Sequence, residues 1–231
     1  MVAEFPDADN VYDMQFVPNH GQHFFYNRSE EGIAYAYQVS RELGLPCGAF
    51  ARWNTLLSVT EKEVDTLVLP SLRGVDEKVK AKIRELYNKG VNLIAVSYVD
   101  GLEDIFGVKY APQTVVIRNL SNGETTEPCY PFKDDALYES DGANVLMTAS
   151  TVPAIFQKDN AVLVNFPICS MGRTYFRQSA NLGRITNSEL LKEIFGGVLC
   201  QFSAQLVRGE KDCGVTLFED EKGDTLITVI D

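Results

Sequence analysis

Two apolar runs, residues 65–70 (DTLVLP) and 91–97 (VNLIAVS), flank a stretch of helical periodicity, and this limits the fold more than any other feature of the chain. A run apolar at nearly every position, rather than at every second one, suits a strand covered on both faces. Between the runs, Asp76 offers an N-cap with Glu77 in the first turn. Val79, Ile83, Leu86 and Tyr87 then share one helical face, and Gly90 marks the stop. Strand, helix and strand in this order need a crossover, so the strands are expected to be parallel and the crossover right-handed.

The same rhythm extends upstream. Residues 29–43 carry helical spacing, with Ile33, Ala34, Tyr37 and Leu43 near one face and Gly44 as a stop. Pro46 then leads into a short strand over residues 47–51. Downstream the texture becomes β-rich. Residues 114–118 read as a strand, followed by a polar stretch with Asn122, Gly123 and Pro128, and residues 144–148 as another. Residues 153–156 and 161–166 flank Lys158, Asp159 and Asn160, a hairpin turn. A helix over 188–195 has a capping box from Thr186 to Glu189 and is expected to stop at Gly196 and Gly197. Residues 214–218 and 225–230 flank an acidic turn. The expected architecture is α/β: a doubly wound, mostly parallel, flavodoxin-like sheet with a β-rich insertion and a C-terminal β-hairpin. The α/β domain is placed at residues 1–200 and the hairpin appendage at 201–231.

Charge and composition narrow the function. The chain has 231 residues, with 21 basic against 32 acidic side chains and a net charge of −11. That balance argues against a nucleic-acid groove or an anionic membrane surface as the main partner. No apolar run reaches 18 residues, and the N-terminus has neither a basic nor an apolar leader segment. The five cysteines, at 47, 129, 169, 200 and 213, stand apart without a CxxC pair. They read as reduced thiols of a cytoplasmic protein. His20 and His23 are the only histidines, and Pro18 and Gly21 place them in a loop with no third ligand nearby, so no metal site is expected. Neither a P-loop nor a GxGxxG turn occurs, and no cofactor is expected.

In a doubly wound sheet, ligands bind outside the carboxyl ends of the strands. That rule nominates Trp53, the only tryptophan, beside Arg52 and Asn54 after the strand at 47–51. The plainer reading of Trp53 is packing. Arg73, after the central strand, is a donor fork for a carboxylate or a phosphate, or simply part of a turn. Ser97, Tyr98 and Asp100 follow the next strand. Arg173 and Tyr175 lie in the basic, aromatic stretch 170–177, which reads as a recognition loop or as ordinary surface. The acids at 103, 104, 134, 135, 139 and 141 show no diagnostic pairing and read as a solvated face.

Three segments in order carry a resemblance: residues 64–74 (VDTLVLPSLRG), 88–97 (NKGVNLIAVS) and 101–110 (GLEDIFGVKY). They resemble the class I glutamine amidotransferase-like domain, and within it the β-galactosidase trimerisation type. The segments at 153–166 and 188–195 are similar to that family's later hairpin and last helix. The family's active members place a nucleophilic cysteine on the turn after the strand that here ends at Val96. The matching position is Ser97 or Tyr98, and no histidine follows His23. A serine needs a base within hydrogen-bond reach, so glutaminase chemistry reads as absent.

The resemblance implies a non-catalytic accessory domain in carbohydrate metabolism. It implies homo-oligomer contacts, and a partner glycosidase barrel in the same or a neighbouring chain. Two other readings stand beside it: a module binding a sugar or small anion near Arg73 and Arg173, and a residual hydrolase or amidotransferase using Ser97 with His20 or His23.

Overall fold

The computed structural model describes residues 9–16, 43, 45, 47–49, 53–69, 71–165, 189–202, 214–219 and 225–230. Its centre is the expected strand–helix–strand unit. Strand β3 (Val64–Leu69) and strand β4 (Asn92–Val96) pair in parallel, and helix α2 (Glu77–Asn88) connects them. The Asp76 carboxylate accepts from the Lys78 amide at 2.8 Å, and Gly90 takes φ 98° just past the helix, a conformation that favours glycine.

β1 (Asp9–Phe16) pairs in parallel with β3 and with the short β2 (Cys47–Ala49). On the other side β4 pairs in parallel with β9 (Ala161–Val164). The parallel part therefore runs β2-β1-β3-β4-β9. Antiparallel strands extend it past β9 through β8 (Val152–Lys158), β7 (Asn144–Ala149), β5 (Val108–Ser121) and β6 (Thr126–Ser140). At the other end, β10 (Gly214–Glu219) pairs with β1 and with β11 (Thr225–Ile230). The C-terminal hairpin thus belongs to the same sheet.

Alternation along the strands sends side chains to two cores. On one face Leu67, Leu69 and Leu93 pack with Val79, Ile83 and Leu86 of α2. On the other, Val68, Ile94 and Val96 pack with Leu191, Phe195 and Leu199 of a helix that is the last described, α4 (Glu189–Phe202). Two further short helices occur, α1 (Trp53–Leu56) and α3 (Glu103–Phe106).

Two departures from the sequence reading stand out. First, α4 does not stop at Gly196 and Gly197; it runs on to Phe202. Each glycine costs about 1 kcal/mol against alanine in a helix, but Val198 and Leu199 are buried on the core face and their burial outweighs that cost. The proposed cap Thr186 and the proposed helix 29–43, apart from Leu43, lie outside the described residues. At the start of α4, the Leu190 amide donates to the Glu127 carboxylate of β6 at 3.0 Å.

Second, the five-residue strand expected at 114–118 is part of a 14-residue strand, β5, paired along its length with the 15-residue β6. Three prolines hid this arm. Pro112 falls where the β5–β6 register shifts, between Tyr110 and Gln113. Pro128 and Pro131 sit on β6, the last strand in the described order, where a missing donor is tolerated and discourages further pairing. The arm reaches both cores: Val108, Leu137 and Tyr138 join the α2 side, while Ile117, Leu120 and Ala136 join the α4 side.

Gly197 is exposed, and a Cβ built there meets nothing within 4 Å. Gly197→Ala is expected to raise stability by about 0.5–1 kcal/mol, read as a higher midpoint in urea or thermal melts. A lower midpoint would mean that α4 is not a continuous helix through this position.

Candidate functional site

The carboxyl ends of β3, β4 and β9 meet at one end of the sheet, and three of the nominated residues gather there. After β3 the chain turns through Ser71 and Leu72 to Arg73, which is exposed. After β4 comes Ser97, 7% exposed, with φ 75°. A non-glycine residue in this region stores strain, and such residues cluster at functional turns. The turn is held from both sides. The Ser97 amide donates to the Val164 carbonyl at 2.8 Å, and the Leu72 amide donates to the Tyr98 carbonyl at 2.7 Å.

Arg73 and Tyr98 meet directly. The guanidinium carbon lies 4.7 Å from the Tyr98 ring centroid, a cation–π stack. Tyr98 in turn lies 6.5 Å from Tyr110, the rings tilted by 35°. Tyr110 stands on β5 opposite Tyr138 of β6, and the two rings meet edge to face at 5.7 Å. Arg73, Tyr98 and Tyr110 therefore form a row across three separate elements, with Tyr138 packed behind it.

Tyr138 fixes that row to the fold. It is 1% exposed, and its hydroxyl accepts from the Val99 amide at 2.9 Å. Burial pushes its phenol well above the usual tyrosine range, with the nearby Asp100 and Glu103 carboxylates adding to the effect and the Val99 hydrogen bond opposing it. Its backbone is held by Asn165, which follows β9 and is fully buried. The Asn165 side-chain oxygen accepts from the Leu137 and Tyr138 amides at 3.1 and 2.9 Å. The side-chain nitrogen donates to the Tyr138 and Pro153 carbonyls at 2.9 and 2.8 Å. Both donors and the acceptor of the amide are thus in use.

On the outer side of the loop, Arg84 of α2 grips the Asp104 carboxylate with two bonds, at 2.6 and 2.7 Å, and donates to the Gly101 carbonyl at 3.0 Å. The Arg84 bond holds the Asp104 carboxyl below the usual carboxylate range. Both side chains are substantially exposed, so this bridge is worth under about 1 kcal/mol and mainly orients the loop.

Trp53 opens α1, after β2. Arg173, Tyr175, His20 and His23 lie outside the described residues. Of the acids, Glu139 pairs with Lys109 at 3.2 Å, and Asp135 accepts from the Thr114 hydroxyl at 2.6 Å. Sequence reasoning missed Tyr110, Tyr138 and Asn165. Asn165 did leave a signal, a lone amide closing the apolar run 161–164. Tyr138 sat unremarked among the acids of 134–141.

No family model matches the chain, and no curated protein matches it. Solved structures do. A cold-adapted β-galactosidase from Rahnella sp. R3 matches with a TM-score of 0.62 and 12% identity, over 96% of this chain and 36% of that one. α-L-Fucosidase isoenzyme 2 from Paenibacillus thiaminolyticus matches with a TM-score of 0.59 and 12% identity, over 93% of this chain and 37% of that one. A β-galactosidase from the haloarchaeon Halorubrum lacusprofundi gives 0.55 and 11%, over 97% and 40%. The chain spans about two fifths or less of each of these proteins and shares the fold of that portion.

Loss of the Tyr138 hydroxyl would leave the buried Val99 amide without its partner. Tyr138→Phe is expected to cost about 1–3 kcal/mol in chemical denaturation. The raised phenol also sets a pH dependence. The stability it contributes is complete below the unfolded value of 10.0 and declines as pH rises above it. Wild-type stability should fall above about pH 10 more steeply than that of Tyr138→Phe. Equal alkaline slopes would contradict the buried neutral phenol.

Proposed function

We propose that this chain is a non-catalytic glutamine amidotransferase-like domain, doubly wound in the flavodoxin manner. In this reading it serves a β-galactosidase-type glycosidase as an accessory and oligomer-contact domain. The observation that carries the reading is the fold shared with glycosidases over 93–97% of this chain and only a 36–40% portion of theirs. The sequence adds support: Ser97 or Tyr98, not a cysteine, stands where the amidotransferase nucleophile would be, and both histidines precede residue 24. The partners in this proposal are further copies of the chain and a glycosidase barrel.

One observation favours a second reading, a residual hydrolase or amidotransferase. Ser97 has φ 75° at the end of β4, the backbone form of a nucleophile turn. Such a serine needs a base, and His20 or His23 would have to supply it.

Light scattering on the purified chain, with parallel assays of glutamine and nitrophenyl β-galactoside hydrolysis, separates the two. The accessory reading expects a defined oligomer and no turnover above background. A monomer at high micromolar concentration would overturn the oligomer contact. Turnover abolished by Ser97→Ala would overturn the non-catalytic assignment.

A further inference from the structure

The row of Arg73, Tyr98 and Tyr110 has the makings of a ligand surface that the accessory role does not require. Tyr110 is one of few large apolar side chains among the described residues to be so exposed, at 49%. It does not stand alone as an incidental surface ring. Tyr98 lies 6.5 Å to one side and Arg73 stacks beyond, 4.7 Å from the Tyr98 centroid. The row lies at the carboxyl ends of parallel strands, where α/β sheets place their ligands.

The rings are also held in place before any ligand arrives. Tyr138 packs edge-on against Tyr110 from below, its own position fixed by the Val99 and Asn165 hydrogen bonds. Side chains already ordered lose little freedom on binding, which favours weak ligands that make few contacts.

The chemistry around the row selects the ligand class. A π-face is negative and attracts a surface of slightly positive C–H groups, as one face of a pyranose ring presents. Arg73 contributes hydrogen-bond donors at one end. Asp100 and Glu103 follow Tyr98 closely, in the turn that the Val99 amide ties to the Tyr138 hydroxyl, and Glu103 accepts from the Gly101 amide at 2.9 Å. Carboxylates beside aromatic rings accept from sugar hydroxyls. They also repel an anion, as does the net charge of −11.

We propose that Tyr110, Tyr98 and Arg73 form a binding platform for a neutral sugar ring, with the ring face on Tyr110 and its hydroxyls directed to Arg73 and the acids of the 100–103 turn. The platform is argued from this geometry and stands whether or not the chain forms the oligomer contact proposed above.

The test is a titration of the full chain with lactose, a neutral disaccharide, followed by saturation-transfer NMR and by amide shifts. Galacturonate, the acidic counterpart of galactose, serves as control. Saturable millimolar binding is expected, with shifts concentrated at residues 98–101 and 109–111. Tyr110→Ala should weaken it at least about fivefold, as truncating an aromatic anchor does. Tyr110→Trp, which keeps a π-face, should retain it. Lys109→Ala, beside Tyr110 on the strand but on the opposite face, should bind as wild type does. Thermal melts would confirm that the variants are folded. Tighter binding of galacturonate than of lactose would overturn the neutral-ligand assignment. Absence of saturable lactose binding, or equal binding by folded Tyr110→Ala, would overturn the platform.

Discussion

The arrangement at the strand ends depends on one buried side chain, the amide of Asn165. Four hydrogen bonds join it to Leu137, Tyr138 and Pro153, so it links β6 to β8 at a place where backbone pairing between those strands is absent from the described ladder. A buried amide with all its groups paired rigidifies its surroundings, and one left half-paired costs about 1–3 kcal/mol for each orphaned group. Asn165 therefore specifies where the long β5–β6 arm crosses the sheet. The crossing point sets Tyr138, Tyr138 sets the Val99 turn, and the turn presents Tyr98 beside Arg73.

This order of dependence explains how the chain builds an organised surface at the carboxyl ends of its strands. The parallel strands contribute the turns, and Ser97 supplies a positive-φ reversal that lifts Tyr98 out of β4. The antiparallel arm contributes the rest. The arm joins both cores, so its position is fixed by apolar packing on the two sides of the sheet as well as by the Asn165 amide. Fold-sharing glycosidases contain this architecture as a minor part of a longer chain.

The legible parts of the fold were those governed by local rules. The buried runs of β3 and β4, the Asp76 cap, the turn at Lys158–Asp159–Asn160 and the C-terminal hairpin all follow from periodicity and turn chemistry. The full length of the arm was not legible, because residues 109–114 are mostly exposed and polar, with no apolar alternation to extend the strand read at 114–118. The end of α4 was misread for the opposite reason: two glycines gave a strong local stop signal that burial of Val198 and Leu199 overrides. At the strand ends, the ligand-placement rule nominated Arg73, Ser97 and Tyr98, which the structure brings together. It could not find Tyr110 or Tyr138, which reach the same place from strands distant in sequence.

Amide hydrogen exchange of the native chain tests this account most directly. If the Asn165–Tyr138–Val99 linkage holds the site, the Leu137, Tyr138 and Val99 amides should exchange only through global unfolding, at the rate of the β4 interior amides of Ile94 and Ala95. Rapid exchange at Leu137, Tyr138 and Val99 while Ile94 and Ala95 stay protected would contradict it, because the arm would then open independently of the sheet.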